Sequence, residues 1–246
     1  MSRTVIITGG NRGIGRGLTD AFLRDGWRVV VGARHRLDVD SLGPDVEFVE
    51  MDARLETDHM RLVEAATKFG GLRCYINNVG LSDWAPIGGV TEDFFDHMMA
   101  TNLKSAFWGC KAAAAGLNDG GSIINMSSMA GKRGSSNNSV YCATKFGMNG
   151  LTQSLAKELG PKGIRVNAIC PVLVRTDGLI EALSEADSPA AGDPEAFLAA
   201  FCDSQAALDH LPTVDEVAAY ALWLASDAAS AMTGQCVNVD CGVFPQ

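Results

Sequence analysis

The sequence is poor in proline and lacks any compositional repeat. Only 8 of its 246 residues are proline, and its glycines follow no Gly-X-Y period and form no Gly/Ser tract. Collagen-like chains and flexible linkers are therefore excluded. No apolar run reaches the roughly 18 residues of a membrane-spanning helix, so we expect no membrane segment.

Basic residues are scarce relative to acidic ones. The chain has 20 Lys and Arg residues against 29 Asp and Glu residues, which leaves a net charge of −9. A chain this acidic is poorly suited to binding nucleic acid or an anionic membrane surface. We therefore expect neither partner, and any local basic cluster becomes informative.

Disulfide and metal-binding patterns are also missing. The seven cysteines are odd in number and scattered, with no CxxC, and no histidine has a plausible set of partner ligands. We predict reduced, mostly buried thiols and no metal site. The N-terminus enters strand-like sequence at once, unlike a signal peptide, so we expect a cytoplasmic protein. The cysteines are Cys74, Cys110, Cys142, Cys170, Cys202, Cys236 and Cys241.

Glycine, in contrast, is abundant. The 27 glycines make up about 11% of the chain, against a usual ~7%. Glycine without extra proline suggests tight turns and places where the backbone approaches another group closely. The length suits one α/β domain, and a hydrophobic content of 47% is enough for a full core.

Short apolar runs alternate with helix-like segments along nearly the whole chain. The runs are apolar on both faces and rich in β-branched residues, which is typical of strands covered on both sides. This alternation predicts an α/β fold with a doubly wound parallel sheet of about seven strands and helices on both faces. The predicted strands are 4–8, 28–32, 46–50, 74–78, 122–126, 164–170 and 235–239, and the predicted helical segments are 13–25, 57–69, 91–117, 140–159 and 214–226.

One segment interrupts this rhythm. Residues 177–211 are long, acidic and without a strand-like run. An insertion of this length in a compact domain usually covers a site. We expect it to act as a lid.

A glycine-rich loop follows the first predicted strand and opens the first helix. Residues 8–15 read Thr-Gly-Gly-Asn-Arg-Gly-Ile-Gly. Glycines there permit a tight turn, and a helix N-terminus favours a phosphate group. The pattern predicts a dinucleotide site, although a merely structural turn is the alternative. Its spacing departs from G-x-G-x-x-G, because three residues separate Gly9 from Gly13.

This TGxxxGIG spacing resembles that of the short-chain dehydrogenase/reductases. Further similarity lies in NNVG at 77–80 with Val79 in place of alanine, TNLK at 101–104, INMSS at 124–128, YCATK at 141–145, RVN at 165–167 and TGQ at 233–235. The resemblance covers essentially the whole chain except residues 177–211. It implies a Rossmann-type fold in which residues 1–246 form a single dinucleotide-binding catalytic domain with 177–211 as a substrate-covering lid.

The YxxxK pair provides candidate catalytic groups. Residues i and i+4 share a helix face, so Tyr141 and Lys145 should project together. A nearby ammonium should lower the pKa of the tyrosine from ~10 towards working pH, as a general acid/base requires. Ser128, thirteen residues earlier at a strand end, can hydrogen-bond the substrate oxygen, and the family spacing selects it over Ser127. YxxxK on its own also occurs in surface pairs.

The resemblance completes a catalytic tetrad with Asn102. It implies that Asn102 holds a water that connects Lys145 to solvent; taken alone, this residue could be an ordinary polar residue inside a helix. The implied chemistry is hydride transfer, with Tyr141 exchanging a proton with a carbonyl or alcohol and Lys145 also binding the nicotinamide ribose.

The end of the second strand indicates which cofactor is used. An NAD enzyme usually places Asp or Glu there to bind the ribose 2′-hydroxyl, but this chain has Ala33 followed by Arg34. Arg12 adds a second basic residue in the glycine loop. Two arginines would accept a 2′-phosphate, so we predict NADP(H) over NAD(H). A solvated turn is the alternative. The cofactor-binding residues are predicted as Gly9, Asn11, Arg12, Gly13, Ile14, Arg34, Asp52, Ala53, Asn78, Gly80, Tyr141, Lys145, Pro171, Val172, Val174 and Thr176.

Two positions depart from the family pattern. Val172 and Cys241 stand where the family commonly has glycine, so the backbone at Val172 and the role of the C-terminal tail are open. Loops above the strand ends should set substrate specificity. The acidic lid disfavours highly anionic ligands such as coenzyme A esters. Candidate substrate contacts are Trp84, Met129, Asn138 and Val172.

These observations predict an oxidoreductase. It would transfer a hydride between NADP(H) and the carbonyl or secondary alcohol of a small organic substrate. An NAD-dependent dehydrogenase of a cyclic alcohol or sugar is one alternative, and a non-catalytic dinucleotide-binding regulator is another. The helical segments 91–117 and 140–159 resemble those of the family's four-helix dimer contact, which implies a homotetramer or homodimer.

Overall fold

A computed structural model of the chain describes residues 3–245, and its centre is one sheet of seven parallel strands. The strand order is β3-β2-β1-β4-β5-β6-β7. This confirms the predicted fold class and places β1 and β4 side by side at the point where the order reverses. The strands are β1 (Thr4–Thr8), β2 (Arg28–Ala33), β3 (Val46–Glu50), β4 (Leu72–Asn77), β5 (Leu117–Met126), β6 (Arg165–Pro171) and β7 (Cys236–Val239).

Eight α-helices within the described residues connect these strands. The helices are α1 (Gly13–Arg24), α2 (Glu56–Lys68), α3 (Glu92–Met98), α4 (Ser105–Gly116), α5 (Ser139–Leu159), α6 (Asp177–Leu183), α7 (Pro194–Gln205) and α8 (Val214–Ala225). The predicted segment 91–117 is divided, because a π-helical stretch over Met99–Lys104 separates α3 from α4. Such stretches occur often at functional sites. No helix in the described part of the chain is long and apolar enough to span a membrane.

Helices cover both faces of the sheet and produce two apolar clusters. Val5 and Ile7 of β1 pack on one face with side chains of α1 and α8. Ile6 points to the opposite face and packs with side chains of α2, α4 and α5. Alternate residues of one strand are therefore buried on opposite sides, which explains why the strands read as continuous apolar runs.

The strand ends and the segment after β6 together define the functional edge. In a doubly wound sheet, ligands bind outside the carboxyl ends of the strands at the point where the order reverses. That point lies between the ends of β1 and β4. Residues 177–211 contain α6 and α7 but no strand, as predicted.

Candidate active site

One large cavity lies along the carboxyl ends of the strands. Its volume is about 1420 Å³, and every predicted site residue except Asn102 lines it. We call the part beside β1 to β4 the cofactor half, lined by Gly9, Arg12, Arg34, Asp52, Asn78 and Gly80, and we call residues 177–211 the lid. The sequence therefore identified one connected site rather than scattered motifs.

The glycine loop has the backbone that its sequence predicts. Gly9 and Gly13 adopt φ values of +67° and +52°, which side chains rarely tolerate. A Cβ on Gly15 would lie 2.0 Å from the carbonyl oxygen of Gly9. The start of α1 thus presents bare backbone to the cavity, and no larger residue fits at Gly15.

Polar side chains from β1 and β4 hold this loop. The Thr8 hydroxyl accepts the backbone N–H groups of Asn78 and Val79 at 3.0 and 3.1 Å. The Asn78 amide donates to the carbonyl oxygens of Thr8 and Gly9 at 2.9 and 3.3 Å. Asn78 lines the cavity as predicted, but its side chain holds the glycine loop.

The serine, tyrosine and lysine predicted to be catalytic converge at the ends of β5 and α5. The Lys145 Nζ lies 5.5 Å from the centre of the Tyr141 ring and donates to the carbonyl oxygen of Met126 at 2.8 Å. Ser128 hydrogen-bonds Tyr141, and Ser128 Oγ also accepts the N–H of Ala130. Ser127 instead donates to the carbonyl oxygen of Lys145 and is buried, which agrees with the choice of Ser128.

The acid-base properties of the pair differ from the prediction. Burial raises the pKa of Tyr141 to about 12, and the hydrogen bond from Ser128 offsets only part of this. Burial also lowers the pKa of Lys145 to about 8. The expectation that the tyrosine pKa falls below its usual value is wrong for this structure, because removing the phenol from water outweighs the hydrogen bond from Ser128.

Asn102 is fully buried in the π-helical stretch and does not line the cavity. Its Oδ1 accepts the N–H of Leu81 at 2.8 Å, and its Nδ2 donates to the Leu81 carbonyl oxygen at 2.9 Å. A Cβ on Gly80 would lie 3.3 Å from Asn102 Oδ1 and 3.6 Å from Lys145 Nζ. Asn102 therefore fixes the backbone that passes directly over Lys145.

The end of the cavity beside β1 and β2 carries exposed positive charge. Arg12 and Arg34 are exposed, and within residues 3–245 neither forms a salt bridge. Asn11 lies beside them and donates to the His35 carbonyl oxygen at 2.6 Å. Asp52 is engaged by Arg54, whose Nε and Nη2 donate to its two carboxylate oxygens. This fork lowers the pKa of Asp52 to about 2.

The segment after β6 lines the other end of the cavity. Val172 has an ordinary backbone, and its N–H donates to the Val239 carbonyl oxygen at 3.3 Å, so the missing glycine causes no distortion there. Val174 lines the cavity but packs mainly in the core beside α1. Thr176 caps α6 by accepting the N–H of Leu179, and its methyl group lies 3.6 Å from a Cβ built on Gly13.

The predicted substrate residues line the cavity in different environments. Trp84 lines the cavity and also packs against the small apolar core of the lid, which contains Leu183 and Leu198. Met129 is buried at the end of β5. Asn138 is buried at the start of α5, and its Nδ2 donates to Ser135 Oγ at 3.2 Å.

Cys241 takes the backbone conformation that the family's glycine would favour. Its φ is +52°, and its carbonyl oxygen accepts the N–H groups of Ala207 and Leu208 at 2.9 and 3.1 Å. The tail therefore keeps the turn and attaches the end of the lid to Cys241, two residues beyond β7. All seven cysteines are free, and no group of three or more His, Cys, Asp or Glu side chains arranged for a metal ion occurs among the described residues.

Two residues of this region were missed from the sequence: Arg54 holds Asp52, and His59 hydrogen-bonds the Ala53 carbonyl oxygen. Near the catalytic pair, the carbonyl oxygen of Asn137 accepts the Ala85 N–H at 2.8 Å. Asn137 has a φ of +55°, a conformation that asparagine tolerates better than most residues. A two-residue Asp-x-Arg spacing was the one visible signal for the Arg54 pair.

The residues present fit a nicotinamide dinucleotide. Gly9, Gly13 and Gly15 line the cavity without side chains, so the backbone of the glycine loop can approach a pyrophosphate. A Cβ on Gly15 would clash with Gly9 and Asn78, so this glycine allows α1 to pack closely on the loop. Lys145 lines the same cavity beside Tyr141 and Ser128, where its ammonium could donate to a ribose hydroxyl of such a cofactor. The arrangement can bind a cofactor along the strand ends and exchange a proton at the far end.

Comparisons with known proteins agree with this geometry. A family model described as "Enoyl-(Acyl carrier protein) reductase" matches residues 9–244. The chain is 34% identical to the diacetyl reductase [(S)-acetoin forming] of Staphylococcus aureus, with 98% of each chain covered. It is 32% identical to the galactitol 2-dehydrogenase of Agrobacterium fabrum, covering 98% of this chain and 97% of the relative.

A solved structure extends the similarity to the fold. The short-chain dehydrogenase/reductase from Brucella melitensis described as a glucose/ribitol dehydrogenase superposes with a TM-score of 0.90 at 29% identity, covering 99% of this chain and 97% of that one. The motifs, the geometry and these relatives agree along nearly the whole length. The chain therefore belongs to the short-chain dehydrogenase/reductase family and is an NAD(P)-dependent oxidoreductase that acts on CH–OH groups.

Proposed function

We propose that the protein is an NADP(H)-dependent carbonyl reductase and secondary-alcohol dehydrogenase with Tyr141 as its general acid/base. The observation that carries this proposal is the convergence of Ser128, Tyr141 and Lys145 at the far end of the cavity from Arg12 and Arg34. A nicotinamide cofactor supplies the hydride when bound. The protein supplies orientation and the proton.

Each catalytic side chain has one task in this proposal. Tyr141, with its pKa raised to about 12, is protonated at neutral pH and so is ready to donate to a carbonyl oxygen. Ser128 hydrogen-bonds the same oxygen as negative charge develops on it. Lys145 holds the ribose and compensates the charge on Tyr141 after its proton has left. Asn102 fixes Leu81 and, through a water molecule, connects Lys145 to solvent.

The preference for NADP(H) rests on charge at the adenosine end. Two exposed arginines without salt-bridge partners in the described structure line this end of the cavity, and the residue at the end of β2 is Ala33. Guanidinium groups bind phosphate with charge-assisted hydrogen bonds. The other predicted contacts, from the glycine loop to Val172 and Thr176, then hold the pyrophosphate, adenine and nicotinamide.

The relatives favour a class of substrate. The diacetyl reductase, an L-2,3-butanediol dehydrogenase at 32% identity and the galactitol 2-dehydrogenase are all named for substrates or products with oxygen on adjacent carbons. We propose that this protein acts on a small α-hydroxyketone or vicinal diol. Trp84, Met129, Asn138 and Val172 would surround it, and residues 177–211 would close over it as part of the single domain.

We also propose a homotetramer or homodimer. Phe95, Phe107 and Phe146, on α3, α4 and α5, each expose more than two fifths of their surface. Exposed apolar side chains of this size mark association surfaces, and these helices match the family's dimer contact. Sedimentation equilibrium of the wild type and of Phe107→Ser tests this, because the substitution should favour smaller species.

A cytoplasmic location is the simplest setting for this enzyme. Its seven cysteines are all free. Free, mostly buried thiols are typical of proteins in reducing compartments. Fractionation of expressing cells would test the location directly.

The test of the proposed activity is a substrate panel. Acetoin, butanediol isomers, galactitol and simple ketones are assayed with NADPH and with NADH by the absorbance of the reduced nicotinamide. Turnover of vicinally oxygenated substrates with a preference for NADPH supports the proposal. Faster turnover of simple ketones would contradict the proposed substrate class. A preference for NADH would contradict the assignment of NADP(H) as the cofactor.

A second candidate is an NAD-dependent sugar or cyclic-alcohol dehydrogenase. The observation that favours it is the 34% identity to a probable galactose dehydrogenase of Rhizobium meliloti, over 98% of this chain. The same panel, extended with aldoses and NAD, separates the two candidates.

A further inference from the structure

The loop after β3 is held by two consecutive residues of α2. Asp58 accepts the backbone N–H of Asp52 at 2.8 Å, and His59 Nε2 lies 2.8 Å from the carbonyl oxygen of Ala53. The peptide between these two contacts carries the N–H of Ala53. This N–H has no acceptor among residues 3–245, and Ala53 lines the cofactor half of the cavity.

His59 is held in a single protonation state. It is 1% exposed, and its Nδ1 lies 2.7 Å from the hydroxyl of the fully buried Tyr75. Burial lowers the pKa of His59 and raises that of Tyr75, so both are uncharged. Because a carbonyl oxygen only accepts, Nε2 carries the proton, and Nδ1 therefore accepts from the Tyr75 hydroxyl.

We propose that His59 is a positioning residue for the adenine ring of the cofactor. His59 fixes the peptide after Ala53, and Asp58 fixes the peptide before Asp52. A peptide unit is planar and rigid, so holding both neighbours keeps the Ala53 N–H in one orientation for an acceptor nitrogen of adenine. This inference rests on the proposed dinucleotide function and assigns part of its affinity to a side chain that does not touch the cofactor.

Two conservative substitutions separate positioning from packing. The amide nitrogen of glutamine can occupy the place of Nε2, so His59→Gln keeps the donor to Ala53. The amide of asparagine reaches only the place of Nδ1, so His59→Asn keeps the contact with Tyr75 and loses the donor. Both variants leave a polar group in the same buried position, and they differ in which hydrogen bond survives.

The measurement is the Kd of whichever of NADPH and NADH binds the wild type more tightly, followed by the fluorescence of the reduced nicotinamide. One neutral hydrogen bond contributes about three- to tenfold in an equilibrium constant, so His59→Asn should raise Kd by about that factor, and His59→Gln should stay within about twofold. The KM of the cofactor should follow Kd, while kcat changes less.

Val63→Ala is the matched control for stability. Val63 is buried one turn further along the same helix, beside Gly116, and makes no hydrogen bond to the loop through its side chain. It should lower the Tm and leave the cofactor Kd unchanged. Equal shifts of Kd in His59→Asn and His59→Gln would overturn the positioning role. A wild type that binds neither dinucleotide would instead refute the proposed function itself.

Discussion

The cofactor half of the cavity and the lid are built from different kinds of contact. The cofactor half is held by buried hydrogen bonds between strand ends that are far apart in sequence, such as Thr8 with Asn78. The lid has a small apolar core around Leu183, Ala190 and Leu198, and its Glu195 forms an exposed ion pair with Arg175, which precedes the lid. The hydrogen bonds of the cofactor half hold its backbone in one geometry. The sequence of the lid, in contrast, can change without disturbing the sheet.

The largest expected effect is on kcat and concerns Tyr141, which lines the cavity that both regions border. Tyr141→Phe removes the proton donor and should lower kcat by about 10²- to 10⁴-fold. Binding of NADPH should persist, because the glycine loop and Lys145 are intact. Stopped-flow or steady-state rates and fluorescence titration measure the two quantities.

Tyr220→Phe is the control for that change. Tyr220 lies on α8 and stacks on Trp223. Its substitution should leave kcat near the wild-type value. A Tyr141→Phe enzyme that retained most of its activity would show that another group supplies the proton.

The next effect concerns the charge at the cofactor half. Arg34→Asp should lower the ratio of kcat/KM for NADPH to that for NADH by about 10- to 100-fold, because charge-assisted hydrogen bonds to the 2′-phosphate are lost and repulsion replaces them. Arg24→Asp makes the same change in net charge at an exposed position on α1. An equal change in both variants would mean that overall charge, not a 2′-phosphate site, sets the preference.

The pH dependence should follow Lys145. Its pKa is lowered to about 8, so the ammonium is present below that pH and is lost above it. Because kcat/KM for the cofactor reports groups of the free enzyme, it should fall by up to about tenfold per pH unit above pH 8. Tyr141 stays protonated throughout this range. A profile that is flat between pH 7 and pH 10 would contradict the assigned role of Lys145.

A smaller effect, on the Tm, comes from relieving backbone strain in each of the two regions. Cys241 and Ala191 both have a left-handed backbone, with φ values of +52° and +48°. Cys241→Gly relieves the strain in the tail attached to β7 and should raise the Tm by about 2–4 °C. Ala191→Gly should raise it less, because the lid can open locally before the sheet unfolds. Equal increases in scanning calorimetry would show that lid and sheet unfold together.

The smallest effect belongs to the ion pair of the lid. Glu195→Gln removes the partner of Arg175, but both side chains are well exposed. Exposed ion pairs contribute little to stability because water and salt screen them, so the Tm and the substrate KM should change little. A large rise in KM would show that this pair holds the lid closed. The lid would then depend on a specific polar contact, as the cofactor half does.

The parts of the site that depend on local sequence could be predicted from it. Strand periodicity, the glycine loop and the YxxxK spacing each depend on neighbours along one element, and the structure brings their residues to one cavity. Contacts between elements were not predictable. His59 meets Tyr75 and Ala53 only after α2 packs on the sheet, and the raised pKa of Tyr141 depends on its burial.

The hydroxyl of Thr8 has a consequence for how the chain acquires its site during synthesis. The glycine loop leaves the ribosome before its partners Asn78 and Val79, which emerge about 70 residues later. Until β4 docks beside β1, the Thr8 and Gly9 carbonyl oxygens lack the amide that orients them. The glycine loop is therefore completed only after about 70 further residues have been made.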